Sequence, residues 1–273
     1  MCAGVAANRA RRRLHCWVRS VTDTSPLNSG DVDNAMKETT HRFRSTHLGN
    51  ERTIWIRECG RSPVNLAVFL DAELYRDRVG AGSVVDALHT AGEIGSTLFV
   101  FVSTESIASR WVECECHVPF VRFIDEELFP WLEKVHPEVR ATRERAIVGL
   151  SYTGLAAAFV AMMAPRRFTK VIAQSGSFWW NDCWISAQLP ATASEPLPEF
   201  YLDVGLREIH ENVRHRDDLL QVVSQIEGVA RFRDALRARG CNPRYVEFDG
   251  GHDFTSWALM LPDALRWALA GRD

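Results

Sequence analysis

The sequence contains no C-x-x-C pair, and its seven cysteines (Cys2, Cys16, Cys59, Cys114, Cys116, Cys183 and Cys241) are odd in number. In a chain of 273 residues this argues against a disulfide framework and for a reducing, cytoplasmic setting. No apolar run approaches the roughly 18 residues that mark a membrane span. The N-terminus is basic (Arg9, Arg11, Arg12, Arg13), but no apolar h-region follows, so it does not read as a secretory signal. Neither charge is in excess: 35 acidic residues stand against 32 basic ones, for a net charge of -3. A nucleic-acid partner would need a basic field that this chain lacks. There is no internal repeat and no low-complexity tract. Cys114 and Cys116, two apart, are too few for a zinc site without further ligands. His210 and His215, five apart, do not favour one helix face. No metal and no cofactor are expected.

What is present is a core-forming composition, 46% hydrophobic and 25% charged, as in soluble globular proteins. Residues 1–40 lack periodicity and are expected to form a poorly ordered extension ahead of one domain spanning 41–273. Met36, just before the first strand-like segment, is a candidate start. His41 to His47 and Thr53 to Arg57 flank Gly49-Asn50, the pattern of an antiparallel hairpin. Short apolar runs then recur: Val64 to Leu70, Thr97 to Ser103, Ala146 to Leu150, Lys170 to Gln174, Glu199 to Val204 and Arg244 to Phe248. Strands buried on both faces look like this. Helical patterns fall between them, at Val84 to Thr90, Pro119 to Lys134, Tyr152 to Met163, Val229 to Arg239 and Leu261 to Ala270. The alternation predicts an α/β fold with a mostly parallel central sheet and helices on both faces. Gly176 to Pro198 has no clear period and reads as a surface insertion near a site.

The segment Ala146 to Ala158 (AIVGLSYTGLAAA) runs a short apolar strand into Gly-x-Ser and then into a small-residue helix. A sharp strand-to-helix turn would present Ser151 as a nucleophile at the end of the sheet where α/β folds place their chemistry. The N–H groups that follow can stabilise an oxyanion. The usual pattern is G-x-S-x-G. Here Thr153 holds the second glycine's place and Gly154 follows it. Read alone, Ser151 could equally be a helix N-cap. A second segment, Val246 to Phe254 (VEFDGGHDF), ends a strand in two glycines before His252, where a general base belongs in the chain order Ser, acid, His. The acid should follow the strand Phe200 to Val204, and Glu208 is the choice. Asp203 lies inside that strand. Asp217 and Asp218 are rivals expected on a helix.

Several segments together resemble the putative-esterase branch of the α/β-hydrolases, enterochelin-esterase-like proteins in particular. Feruloyl esterases and mycolyl transferases are more distant relatives. Asn65 to Tyr75 (NLAVFLDAELY), Arg110 to Lys134, Val148 to Gly154, Gln174 to Trp180 (QSGSFWW), Gly205 to Glu208 and Gly250 to Trp267 carry the likeness. It implies an α/β-hydrolase fold and a serine esterase that cleaves a carboxylic ester, with a small-molecule substrate of short-chain, aryl or siderophore-like kind. It also implies the triad Ser151, Glu208 and His252, and an oxyanion hole made by the backbone N–H groups of Ala72 and Tyr152. Arg110 and Glu113 match the family's R-x-x-E, either as an ion pair ordering a loop or as substrate contacts. Trp179 and Trp180, with Phe178 and Trp184, form an aromatic cluster that could line an acyl or aryl pocket or pack in the core. An acyltransferase would use the same triad. A binding module would keep the fold without the chemistry.

Overall fold

The computed structural model describes residues 36–192 and 196–270. The elements run β1 (Lys37–Arg44), β2 (Glu51–Cys59), β3 (Asn65–Phe69), α1 (Ala72–Leu74), α2 (Ala81–Thr90) and β4 (Thr97–Val102). Then come α3 (Ile107–Glu113), α4 (Val118–Arg122), α5 (Phe129–Val135), β5 (Glu144–Leu150), α6 (Ser151–Met163), β6 (Lys170–Gln174) and α7 (Trp180–Thr192). The chain continues through β7 (Glu199–Gly205), β8 (Val213–Arg216), β9 (Leu219–Gln221), α8 (Gln225–Ala238), β10 (Arg244–Phe248) and α9 (Phe254–Leu269).

The apolar runs pair into one eight-stranded sheet, in the order β1-β2-β4-β3-β5-β6-β7-β10. From β4 to β10 every pairing is parallel, while β1 and β2 are antiparallel. Successive strand residues point to opposite faces, so each run feeds two cores. Leu66 and Val68 join α6 and α8 on one face; Ala67 and Phe69 join α2 and α9 on the other. Such double burial explains why β3 and β4 are apolar throughout, with every residue buried.

Residues 37–40, expected in the extension, begin β1 and pair with β2 from Lys37↔Glu58 onward. The rest of that extension, residues 1–35, lies outside the described residues. The long helical pattern at Pro119 to Lys134 is α4 and α5 joined by a π-helical stretch, Phe123–Leu128. Helix α9 starts seven residues before the expected Leu261: Asp253 Oδ1 accepts from Ser256 N at 2.9 Å and caps it, and the helix carries Pro262 in its interior. Asp217 and Asp218 are not helical. They sit in the turn between β8 and β9, a hairpin following the β7 loop. No helix among the described residues is long and apolar enough to cross a membrane.

Candidate active site

Strand β5 ends at Leu150, and Ser151 opens α6 with φ 52, a left-handed conformation for a residue with a side chain. Two glycines make that turn possible. A Cβ on Gly149 would lie 2.1 Å from Thr153 O, and one on Gly154 would lie 2.9 Å from Gly176 Cα. The close approach therefore falls at 154, one place later than in the usual pattern. Position 153 has room for a side chain and uses it, because Thr153 Oγ1 accepts from Leu150 N at 3.1 Å and braces the turn.

His252 follows β10 through Gly250 and Gly251. Its Nε2 lies 2.9 Å from Ser151 Oγ, and its Nδ1 lies 2.6 Å from Glu208 Oε2. An ionised carboxylate only accepts hydrogen bonds, so Nδ1 is assigned the proton and Nε2 turns its lone pair toward the serine. Glu208 comes from the turn after β7, and its side chain is 1% exposed. Its second oxygen, Oε1, accepts from Gly205 N at 2.7 Å and from Ser175 Oγ at 2.6 Å. Asp203, inside β7, is fully buried; burial first, with the nearby Glu208 charge adding to it, pushes its acid up to about 8. Its Oδ1 accepts from Ser175 N at 2.9 Å. Asp217 is exposed, and exposed Asp218 pairs with Arg216 at 3.1 Å.

Ala72 and Tyr152 are first-turn residues of α1 and α6, and N–H groups there have no acceptor within their own helix. A cavity of about 210 Å³ opens on Ser151 and His252; Trp111, Tyr152, Trp179 and His215 line it. Trp111 and Tyr152 meet edge to face at 4.8 Å, and Trp179 stacks on His215 at 4.8 Å and 7°. Gln225 Oε1 accepts from Trp179 Nε1 at 2.7 Å and holds that indole in the wall.

The other expected substrate contacts divide. Arg110 reaches the cavity wall, but its Nε and Nη2 both donate to Asp71, the latter at 2.7 Å. Glu113 pairs with neither Arg110 nor the cavity. It takes Arg52 at 2.8 Å and 3.2 Å in a buried ion pair, and Asn50 Nδ2 donates to it at 3.0 Å. Trp180 faces a separate cleft with Asn181 and Arg216, and packs on Trp184. Phe178 stacks on Phe232 in the core at 4.1 Å. Sequence reasoning missed Trp111, His215, Gln225 and Ser175. Ser175 stood in view inside the QSGSFWW segment, whereas nothing local to His215 in the polar strand β8 signals a place in the wall.

The chain matches the family described as Putative esterase over residues 45–268. It is 27% identical over 244 residues to the iron(III) enterobactin esterase of Dickeya dadantii, covering 85% of this chain and 54% of that protein. It is 26% identical to the ferri-bacillibactin esterase BesA of Bacillus subtilis, over 59% of this chain and 54% of that protein. The chain thus spans about half the length of the curated relatives it matches. Among solved structures, the enterobactin esterase FES of Shigella flexneri, determined in the presence of enterobactin, superposes with a TM-score of 0.72 at 22% identity, over 86% of this chain and 59% of that one. The siderophore hydrolase EstB of Aspergillus nidulans does so with a TM-score of 0.64 at 19% identity, over 85% and 95%. The parallel sheet, the Gly-x-Ser elbow at the end of β5 and the match across most of the chain lead to one assignment: this protein has the α/β-hydrolase fold and belongs to the Putative esterase family.

Proposed function

We propose that the protein is a serine esterase that hydrolyses carboxylic esters through an acyl-enzyme. Ser151 Oγ attacks the ester carbonyl carbon, and His252 Nε2 takes its proton. Glu208 holds the Nδ1–H tautomer and stabilises the imidazolium that forms. The backbone N–H groups of Ala72 and Tyr152 receive the oxyanion. Collapse of the tetrahedral intermediate breaks the C–O bond, and His252 returns the proton to the departing alcohol. Water then repeats the sequence on the acyl-enzyme and frees Ser151. The observation that carries this reading is the unbroken series Glu208–His252–Ser151, with contacts of 2.6 and 2.9 Å.

The cavity favours an aryl or short-chain acyl group, or a siderophore-like ester. A cavity of roughly 150 Å³ accepts a benzene ring, so about 210 Å³ walled by aromatic faces suits one substituted ring. The free cysteines among the described residues, with Cys59, Cys114 and Cys183 buried, fit a reducing cytoplasm. The deciding experiment is labelling by a fluorophosphonate together with turnover of p-nitrophenyl, feruloyl and catecholate esters. Wild type reacts at Ser151 and turns over; Ser151→Ala loses about 10⁶ in kcat. Residual turnover above roughly a thousandth of wild type would remove Ser151 from the role of nucleophile.

A further inference from the structure

We propose that Ser175 is a positioning residue for the Glu208 carboxylate, the middle member of a hydrogen-bond relay that starts at Trp257. This rests on the reading of Glu208 as the triad acid. The direction of the relay follows from what each group can do. An indole N–H only donates, so Trp257 Nε1 gives its proton to Ser175 Oγ at 3.1 Å. The one hydroxyl proton of Ser175 is then left for Glu208 Oε1, at 2.6 Å. Glu208 Oε2 meets His252, so the relay and the base hold opposite oxygens of one carboxylate. With Gly205 N as its one other donor among the described residues, that carboxylate could turn about its terminal bond and carry Oε2 away from the imidazole. The hydroxyl fixes its plane.

The hydroxyl is not needed to hold its own loop. Ser175 N donates to Asp203 O at 3.0 Å and Oδ1 at 2.9 Å, and Gln225 Nε2 donates to the carbonyls of Ser175 and Gly176. These bonds already fix the backbone. Ser175 is nonetheless fully buried with φ 45, a conformation glycine adopts without steric cost. What serine adds at this position is Oγ, and Oγ bridges Trp257 and Glu208. The same indole meets the His252 ring edge to face at 4.9 Å and 82°. Both partners of the Glu208–His252 contact therefore lean on one buried side chain of α9.

Steady-state kinetics on Ser175→Ala, Trp257→Phe, the double variant and Glu208→Gln, each with a thermal melt, test the relay. Ser175→Ala should lower kcat about ten- to a hundredfold, the equivalent of one hydrogen bond to a charged group, with KM within about twofold of wild type. Trp257→Phe keeps an aromatic edge on His252 and should lower kcat by a smaller factor. The double variant should be no slower than Ser175→Ala, because the indole acts through the hydroxyl. A Ser175→Ala enzyme with wild-type kcat beside a crippled Glu208→Gln would overturn the relay and leave the triad standing. An active Glu208→Gln would instead overturn the triad reading. If Ser175→Ala does not fold, an unchanged kcat in Trp257→Phe overturns the relay.

Discussion

Arg110 grips Asp71 at two points, through Nε at 2.9 and 3.0 Å and Nη2 at 2.7 Å. Asp71 takes φ 55 immediately before Ala72, and its carboxylate also accepts from Thr104 Oγ1 at 2.8 Å and lies 3.1 Å from Thr153 Oγ1. One buried carboxylate thereby ties the α3 arginine, the turn that carries the Ala72 N–H and the turn that carries Ser151. The guanidinium reaches the wall of the cavity beside Ser151, but its charge is directed at this junction.

Arg110→Ala should consequently act on stability and kcat more than on substrate affinity. It leaves Asp71, 3% exposed, as an unpaired buried charge, a loss of about 3–5 kcal/mol. A clear drop in melting temperature is expected, with kcat falling further than KM rises. A raised KM at an unchanged melting temperature would make Arg110 a substrate contact instead.

Glu208→Gln should lower kcat by about 10⁴, the scale of losing a triad acid, while Asp217→Asn and Asp218→Asn stay near wild type. Steady-state turnover of a p-nitrophenyl ester measures all three. Loss of activity in either hairpin variant, with Glu208→Gln unaffected, would move the acid to the β8–β9 turn.

Asp203 supplies a pH signature of stability. Its folded-state acid sits at about 8, against an ordinary value of 3.8. Between those values the folded protein keeps a proton that the unfolded chain has released. Folding stability from this group is therefore complete below about pH 4 and declines as pH rises toward 8, where it levels off. Asp203→Asn removes the decline, so its melting temperature should exceed that of wild type at pH 8 and match it near pH 4. Equal destabilisation at both pH values would show that Asp203 is ionised in the fold.

The proposed esterase would choose its acyl group by the cavity between Trp111, Tyr152, Trp179 and His215. p-Nitrophenyl butyrate and benzoate should give higher kcat/KM than the dodecanoate, whose chain exceeds a space of about 210 Å³. Faster turnover of the dodecanoate would require an acyl path outside this cavity.

The sheet was legible because strands buried on both faces leave apolar runs without alternation, as in β3 and β4. Ser151 and His252 were legible because glycine marks backbone that must pass close: Gly149 against Thr153 O, Gly250 against the Phe248 ring. Local sequence says far less about which distant charges meet. Arg110 and Glu113 stand three apart and suggest each other, yet Glu113 pairs with Arg52, 61 residues away, and Arg110 with Asp71, 39 away. The aromatic cluster divided, with Trp179 in the cavity wall, Phe178 in the core and Trp180 in a separate cleft. Asn181, Asp182 and Cys183 are all left-handed, so the directions of Trp179, Trp180 and Trp184 follow no helical or strand period. The β1–β2 hairpin was read from Gly49-Asn50 and its flanks, and β1 pairs antiparallel with β2 from Lys37; polar β8 lacks the apolar pattern by which strands are read.

Ser151, Glu208 and His252 follow strands with unequal support. β5 and β7 each have a neighbour on both sides, whereas β10, which leads to His252, pairs among the described residues with β7 alone, at the margin of the sheet. Edge strands with few partners open at lower free energy than central ones. The His252 loop is therefore expected to loosen on heating before the elbow of Ser151, which follows the interior strand β5. With His252 as the proposed base, activity should be lost on heating before the fold is, at a limit set by the grip of a single five-residue strand on its neighbour β7.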